Sequence, residues 1–353
     1  MPKTLPCGLL RQIACRLFES MGAPGDIAQR VARSLVESEL AGVASHGIAL
    51  VPFYYSDWKA GWLHPSGRAE IVAETASTAV IDGDWGFGVP SAEKATQLAI
   101  EKAKASGIAA VSLVRSGHVG RLGQFVEMAA GANMFSLAFA SAGPSGGMVA
   151  PYGGLEAVFS TNPIAASTPA REHSPFVMDF ATSQVATGKI MRALEMGESV
   201  PASWALNAQG QPVTTDHDLL DGGIQLPFGE HKGYAMGLLI ELLCGAVTGA
   251  GCSTRPEQVV SRRGGNAFFV IAIDIARFTS LETYYGAADG LLSRIKRVQP
   301  APGFERVMIP GEPEAYQRTL RAKEGISVED DVWEKLTSIA SEQRLSLADV
   351  LGG

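Results

Sequence analysis

The chain has 353 residues, of which 46% are hydrophobic and 18% are charged, so it is long enough to bury a large core. Its formal net charge of -7 argues against a nucleic-acid groove or an anionic membrane surface as its partner. The four cysteines lack metal-ligand spacing and no signal peptide is recognised, so we expect a reduced, cytoplasmic protein.

Two helices are predicted at the start of the chain, over residues 5–21 and 25–40, since apolar residues recur there at helical spacing. Gly42 stands where a helix commonly ends. Ser45 and His46 would then lie in a turn just beyond a rigid element. Imidazole can both give and take a proton near neutral pH, so this turn is a candidate for acid–base chemistry. The alternative is a surface or packing role.

A strand, a glycine-rich loop and a helix are predicted next to one another further along the chain. The strand covers residues 108–114, the loop 116–123 carries His118 and Arg121, and the helix follows to about residue 130. This order points backbone N–H groups at an anion. The G-x-G-x-x-G fingerprint of classical dinucleotide-binding proteins does not occur.

Further strands are predicted at 79–82, 134–140, 176–178 and 267–273, with helices at 52–62, 91–106, 234–250 and 330–344. Asp179 ends one of the strands, a typical position for a site carboxylate or for a helix cap. The apolar segment 234–250 contains a glutamate and three glycines, and we interpret it as a buried core helix rather than a membrane span. His231 and Lys232 precede it, and their charge at a positive helix end indicates a bound anion such as a phosphate.

The order of these elements predicts an α/β fold. Alternating strands and helices form a core over residues 76–304. Residues 1–75, with the Ser45-His46 turn, and residues 305–353 are expected to join as one helical part built from both ends of the chain.

Five short motifs then occur in an order that resembles one family. They are Ser45-His46-Gly47, Gly117-His118-Val119-Gly120, Thr161-Asn162-Pro163, Asp179-Phe180-Ala181-Thr182-Ser183 and His231-Lys232-Gly233-Tyr234. Together they resemble the malate/L-lactate dehydrogenase family of the sulfolactate dehydrogenase type, and most closely its hydroxycarboxylate dehydrogenase branch. The resemblance implies a nicotinamide-dependent reductase of 2-oxo acids or cyclic imino acids, a homodimer, and a non-Rossmann fold in which a mixed sheet is combined with helices.

The resemblance also implies roles for individual residues. His46 matches the proton donor and Ser45 the residue that orients it, while in some members the residue matching His118 has the acid–base role. Thr161 would lie near the substrate. Contacts to NAD or NADP would fall on Gly120, Arg121, Leu122, Asp179, Phe180, Ala181, Thr182, His231, Lys232, Asn266, Gly311 and Glu312. No metal site is expected, because the histidine spacings give no ligand set.

Two departures from the family pattern bear on the substrate. Members that bind small imino acids carry an arginine where this chain has Leu50, and the imino acid reductases carry an aspartate where this chain has Lys189. An apolar Leu50 near Tyr54 favours larger or aromatic 2-oxo acids of the phenylpyruvate and hydroxyphenylpyruvate type. Arg121 is then the candidate partner of the substrate carboxylate.

Several alternatives stay open at this level. Within the same family the chain could be a malate, lactate or ureidoglycolate dehydrogenase or a cyclic imino acid reductase. From another class, it could be a ligand-binding protein that kept the fold without catalysis. A metal-dependent hydrolase is a more distant alternative. Both NADH and NADPH stay open as the cofactor, because the sequence has no acidic residue at the end of a Rossmann strand that would select one of them.

Overall fold

The computed structural model describes residues 3–253 and 265–346 of the chain. The helices are α1 (Cys7–Ser20), α2 (Gly25–Leu40), α3 (Val51–Lys59), α4 (Gly88–Ser106), α5 (Gly123–Gly131), α6 (Thr187–Glu195), α7 (Asp216–Leu220), α8 (His231–Glu241), α9 (Leu281–Lys296), α10 (Glu312–Glu324) and α11 (Asp330–Glu342). The strands are β1 (Lys3–Leu5), β2 (Glu70–Glu74), β3 (Thr78–Asp82), β4 (Ile108–Ser116), β5 (Met134–Ser141), β6 (Ile164–Thr168), β7 (Phe176–Phe180), β8 (Ala205–Leu206), β9 (Ile224–Gln225), β10 (Asn266–Asp274) and β11 (Ile326–Val328).

A seven-stranded mixed sheet forms the centre of the fold, in the order β2-β3-β4-β10-β5-β6-β7. Strands β3 and β4 are parallel, whereas the other neighbouring pairs are antiparallel. Helices α4 and α5 cover one face, where Leu113, Phe125 and Phe268 are fully buried. The mainly antiparallel order differs from the parallel sheet of a Rossmann fold, in agreement with the predicted fold class.

A second hydrophobic core joins the two ends of the chain. Strand β1 pairs with β11, with Leu5 opposite Ile326. Phe18 of α1 belongs to the same cluster of buried side chains as Trp333 and Leu336 of α11. The helices that precede the Ser45-His46 turn are therefore packed against residues from the end of the chain. The boundaries proposed from the sequence near residues 75 and 305 stay a prediction.

Most of the predicted elements are confirmed, and the differences have local causes. Helix α2 has the predicted bounds, and α4 begins three residues earlier than expected because Pro90 fits the first turn of a helix. The helix predicted over 52–62 ends at Lys59. Strands β1, β2, β6, β8, β9 and β11 and helices α6, α7, α9 and α10 were not predicted.

The apolar segment after Lys232 is not one uniform helix. Helix α8 ends at Glu241, and residues Leu242–Val247 continue as a π-helix. The Glu241 side chain is buried and accepts hydrogen bonds from Asn162 Nδ2 at 2.8 Å and from the Ser253 N–H. In the two described ranges, no helix combines the length and apolar character that crossing a membrane requires.

Candidate active site

The Ser45-His46 turn follows directly on α2. Gly42 has a positive φ of 82°, which a glycine adopts readily, and the Val43 N–H donates to the Ser38 carbonyl at 2.9 Å. Residues Ala44–His46 then form one 3-10 turn. Ser45 Oγ lies 3.1 Å from His46 Nδ1, so the hydroxyl fixes the ring by a hydrogen bond, as expected for an orienting residue. A hydroxyl can donate or accept, so this contact is compatible with either tautomer of His46.

His118 lies directly beside His46. The two rings are stacked, with centroids 5.7 Å apart and planes inclined by 26°. His118 Nδ1 receives the backbone N–H of Gly120 at 3.3 Å and lies 3.1 Å from Tyr54 Oη. A backbone N–H can only donate, so Nδ1 of His118 is an acceptor and its proton resides on Nε2. This contact holds His118 neutral, whereas the Ser45 contact leaves His46 free to change its protonation state.

Burial disfavours the charged form of both histidines. It lowers the pKa of His46 to about 4, with a smaller contribution from the nearby Arg121 guanidinium. Burial and the neighbouring His46 lower the pKa of His118 to about 3. Both rings are therefore neutral at pH 7 in the ligand-free protein. A neutral imidazole is a proton acceptor, and an anionic ligand beside it would raise its pKa again.

Arg121 is buried at the start of α5 and carries one ion pair. Its Nη2 donates to Glu127 at 3.0 Å, and Glu127 also accepts from Arg318 Nη2 of α10 at 2.9 Å. Because one carboxylate is shared by two guanidinium groups, this trio keeps a net positive charge. Arg121 Nε is buried and has no hydrogen-bond partner among the described residues. Burying such a donor is costly unless a ligand completes it.

Asp179 faces Arg121 from the end of β7. Its Oδ2 accepts the backbone N–H of Gly123 at 2.7 Å. The side chain reaches solvent through the cleft but is surrounded by protein, and this desolvation raises its pKa to about 6 against the opposing effects of Gly123 and Arg121. A Cβ on Gly123 would overlap the Arg121 guanidinium. The absence of a side chain at this position therefore allows the arginine and the aspartate to lie together.

A cleft of about 460 Å³ brings His46, Arg121 and Asp179 together, a size within the usual range of small-molecule and cofactor sites. His118, although stacked on His46, lies outside the lining of this cleft. Nine residues expected from the sequence line it: Ser45, His46, Gly120, Arg121, Leu122, Thr161, Asp179, Phe180 and Ala181. Other lining residues were not expected, among them Val43, Met148, Gln184, Thr187 and Glu314. The cleft thus joins an acid–base group, a cation and several polar side chains from distant parts of the chain.

Four of the expected residues lie around the cleft rather than in its lining. The hydroxyl of buried Thr182 donates to the Thr161 carbonyl at 3.0 Å, which fixes the wall. The Asn266 side chain is occupied as well, because its Oδ1 accepts the Val119 N–H at 2.9 Å. His231 and Lys232 are exposed at the start of α8, which is adjacent to the cleft wall through the hydrogen bond between Phe228 N and the Thr182 carbonyl.

The two residues expected to shape the substrate pocket also lie outside the cleft lining. Leu50 is partly buried against the N-terminal hydrophobic core. Tyr54 is buried, and its hydroxyl contacts His118 rather than the open cleft. Lys189 is exposed, and its Nζ lies 4.9 Å from the centre of the Trp204 ring.

The expected pair Gly311-Glu312 precedes a residue that the sequence did not indicate. Gly311 has a φ of 99° and begins α10, and both carboxylate oxygens of Glu312 are held by Lys296 Nζ, at 2.9 and 2.7 Å. Glu314, two residues later, lines the cleft, and its Oε2 is buried without a hydrogen-bond partner in the described part of the chain.

These unpaired groups make the cleft a suitable site for a nicotinamide dinucleotide. The cofactor carries hydroxyl and carboxamide donors for the free oxygen of Glu314. The loop before α5 also contributes Gly120, Arg121 and Leu122 to the lining of the cleft. Among the described residues, no group of three or more His, Cys, Asp or Glu is arranged to hold a metal ion.

A larger cleft of about 930 Å³ lies on the other side of Arg121, between α2, α4 and α5. Its charged side chains are already paired: Arg30 and Arg33 both bind Glu93. No residue of the five motifs lines it, and Arg121 is the one candidate site residue on its wall. We therefore place the chemistry in the smaller cleft.

The chain is similar to known dehydrogenases over most of its length. The family model of malate/L-lactate dehydrogenase matches residues 7–337. The chain is 36% identical to L-lactate dehydrogenase of Cupriavidus necator over 96% of this chain and 97% of the relative. It is 33% identical to hydroxycarboxylate dehydrogenase B of Escherichia coli K12 over 92% and 90%.

The solved structures include a sulfolactate dehydrogenase from Methanocaldococcus jannaschii. It superposes with a TM-score of 0.86 at 33% identity, covering 98% of this chain and 99% of that protein. The likeness therefore extends over the whole mixed sheet and both terminal parts. The family model and these relatives show that this chain belongs to the malate/L-lactate dehydrogenase family.

Proposed function

We propose that the protein is an NAD(P)-dependent oxidoreductase that interconverts 2-oxo acids and 2-hydroxy acids. The observation that carries this proposal is the position of His46, held by Ser45, in the same cleft as Arg121. Reduction of a 2-oxo acid needs a proton donor for the developing alkoxide and a cation for the carboxylate. This cleft contains both. The names of the relatives, which are dehydrogenases of malate, lactate, sulfolactate and hydroxycarboxylates, support the same reaction class.

In this proposal, His46 exchanges the proton and Ser45 Oγ keeps its ring in place. His118 is held neutral by the Gly120 N–H, so its Nε2–H is a hydrogen-bond donor for the carbonyl oxygen of the substrate. Arg121 binds the substrate carboxylate through the Nε that has no protein partner. The carboxylate raises the pKa of His46, which favours the imidazolium needed for reduction, whereas neutral His46 accepts the proton in oxidation.

The nicotinamide cofactor, when bound, supplies or accepts the hydride. The residues that would hold it are the loop Gly120–Leu122, the strand end Asp179–Thr182 and Glu314, with His231 and Lys232 available for a phosphate at the start of α8. In this region the protein would contact a ribose hydroxyl if the cofactor is NAD and a phosphate if it is NADP.

For the substrate, we propose a monocarboxylic 2-oxo acid, with larger or aromatic acids of the phenylpyruvate and hydroxyphenylpyruvate type preferred. Arg121 is the only lysine or arginine among the cleft-lining residues that the structure describes, and it suits one carboxylate better than two. Leu50 leaves the segment after His46 without the cation of imino acid reductases. The runner-up is a lactate or malate dehydrogenase, and the names of the relatives favour it.

The test is loss of absorbance of NADH or NADPH with a panel of phenylpyruvate, hydroxyphenylpyruvate, pyruvate, oxaloacetate, glyoxylate and a cyclic imino acid. We expect the highest kcat/KM with the aromatic acids. A preference for oxaloacetate or for the imino acid would contradict the substrate assignment and keep the reaction class. Cofactor binding with no turnover of any 2-oxo acid would favour a non-catalytic ligand-binding protein.

We also propose that the protein is cytoplasmic, in line with its reduced cysteines, and that it is a homodimer, as the family resemblance implies. Light scattering coupled to size-exclusion chromatography would test the assembly, with twice the 37.1 kDa chain mass as the expected result. A mass equal to that of one chain would contradict it.

A further inference from the structure

We propose that Glu39 is a positioning residue that holds the Ser45-His46 turn in its active geometry and connects it to α10. The proposal rests on the proposed function in one respect, since it assumes that His46 exchanges the proton. Glu39 occupies the last turn of α2, only 3% exposed, and its carboxylate points beneath the turn rather than into the cleft.

The Glu39 carboxylate is bonded to the backbone that follows His46. Its Oε1 accepts the N–H of Ile48 at 2.9 Å. This residue opens the next 3-10 turn, Ile48–Leu50, so the hydrogen bond fixes the chain two residues beyond the histidine. The side before the histidine is fixed by the Val43 N–H on the Ser38 carbonyl. The turn is thus anchored on both sides to the end of α2.

Gly47 shows how closely the carboxylate packs against the turn. A Cβ at this position would lie 2.7 Å from Glu39 Cγ and would overlap the carboxylate carbon and Oε1. Gly47 has a φ of -95°, outside the left-handed region that favours glycine. The space taken by the Glu39 side chain leaves no room for a Cβ at this position. The glycine after His46 and the buried glutamate therefore form one fitted unit.

Arg321 links this unit to the opposite side of the cleft. Its Nη1 donates to the backbone carbonyl of Glu39 at 2.7 Å and lies 3.9 Å from Glu39 Oε2. Arg321 belongs to α10, the helix that also carries Glu314 in the cleft and Arg318 on the Glu127 carboxylate. Through Glu39, the turn and α10 share one buried contact.

The buried carboxylate is not explained by stability. Burial raises the pKa of Glu39 to about 6, despite the Ile48 N–H and Arg321, which lower it. A carboxyl whose folded pKa is above its unfolded value contributes stability at low pH, and that contribution is lost as the pH rises through the folded pKa. At neutral pH the charged form thus costs free energy, and its contacts with the catalytic turn are the compensating feature.

The experiment is a double-mutant cycle of Glu39→Ala and Gly47→Ala, assayed for kcat and KM at pH 7.5, with Glu37→Ala as the matched control on the same helix. We expect each single variant to lower kcat by between about tenfold and about a hundredfold, since small displacements of a catalytic group have effects of this size. KM for the cofactor should stay within about twofold. In the Glu39→Ala background, Gly47→Ala should cost less than about a further twofold, because the overlapping carboxylate is gone. Losses that multiply would overturn the proposal.

A conservative variant and a second readout separate positioning from folding and from the proposed function. Glu39→Gln keeps an acceptor for the Ile48 N–H, so kcat should recover to within about threefold of wild type. A Gln variant as slow as the Ala variant, at an unchanged unfolding temperature, would overturn the proposal.

The second readout is the NMR spectrum of the cofactor-free protein. Glu39→Ala should shift the imidazole signals of His46, which are assigned with His46→Gln, whereas Glu37→Ala should not shift them. Unshifted signals overturn the proposal, whereas shifted signals in a protein without 2-oxo acid turnover would uphold it and reject the proposed function.

Discussion

Glu312 and Glu314 leave the first turn of α10 with opposite surroundings. Both oxygens of Glu312 are held by Lys296, and one of them also accepts the Ile309 N–H at 2.9 Å. Glu314 lines the cleft, and one of its oxygens is buried without a partner within the described ranges. The first residue therefore stabilises the start of the helix, whereas the second is a candidate ligand contact.

This difference predicts separate effects for two matched variants. Glu314→Gln should weaken binding of the reduced cofactor by about threefold to tenfold, because a charge-assisted hydrogen bond is replaced by a neutral one. Glu312→Gln should leave binding unchanged and lower the free energy of unfolding by about 1 kcal/mol, the upper range for a partly exposed ion pair. Cofactor fluorescence and denaturant titration measure the two quantities. A larger effect on binding from Glu312→Gln would contradict the assignment.

The stacked histidines predict an order of catalytic importance. His46→Gln should lower kcat by about 10²-fold to 10⁴-fold, the usual contribution of a general acid–base group. His118→Gln should cost less, since its neutral ring donates a hydrogen bond that an amide can partly replace. Steady-state rates of both variants, at saturating cofactor, provide the comparison. If His118→Gln were the slower variant, the two roles would have to be exchanged.

The low pKa of His46 predicts how the two reaction directions depend on pH. With a pKa of about 4 in the ligand-free protein, only a small and decreasing fraction of His46 is protonated as the pH rises above neutrality. In the direction of reduction, kcat/KM should therefore fall by about tenfold per pH unit between about pH 6 and pH 9. In the direction of oxidation, kcat/KM should be independent of His46 over this range. A plateau for reduction that ends near pH 7 would show that the pKa of His46 is not lowered.

Two glycines of α5 provide a controlled test of the Arg121 site. A Cβ on Gly123 would overlap the Arg121 guanidinium, so Gly123→Ala should displace the arginine and raise the substrate KM by about tenfold or more. Gly131→Ala is the control, because an added Cβ there meets nothing within 4 Å. It should leave the substrate KM unchanged and keep or slightly raise the unfolding temperature. Equal KM values for both variants would remove Arg121 from substrate binding.

The sequence predicts the elements whose signal is local and misses those that depend on their neighbours. Helix α2 shows a clear apolar periodicity and a terminating glycine, and its predicted bounds agree with the structure. Strand β6, with the sequence Ile-Ala-Ala-Ser-Thr, has few residues of high β-propensity. It is a strand because β5 and β7 pair with it on either side. Strand β2 is exposed along its whole length, so it shows no alternating burial that could have indicated it.

In the candidate site, too, the sequence identifies the residues with a local signal and misses those that depend on the fold. The motifs identify His46 and His118, but their stacking depends on how the N-terminal helices pack on the sheet, which no spacing shows. The burial of Arg121 depends on Glu127, which is shared with Arg318, a residue 191 positions further along the chain. For Glu314, the only signal was its position two residues after the predicted Glu312. Side chains that complete a site across such separations can be found only once the fold is known.

The pairing of β1 with β11 has a consequence for biosynthesis. The helices that hold the Ser45-His46 turn leave the ribosome before Trp333 and Leu336, which complete their core. We expect the turn to reach its folded geometry only after translation of β11, so that the acid–base group is not assembled on shorter nascent chains. A chain stalled before residue 326 should therefore be cleaved by protease within α1 and α2, while the central sheet is already resistant. Equal resistance of both parts on the stalled chain would contradict this order of folding.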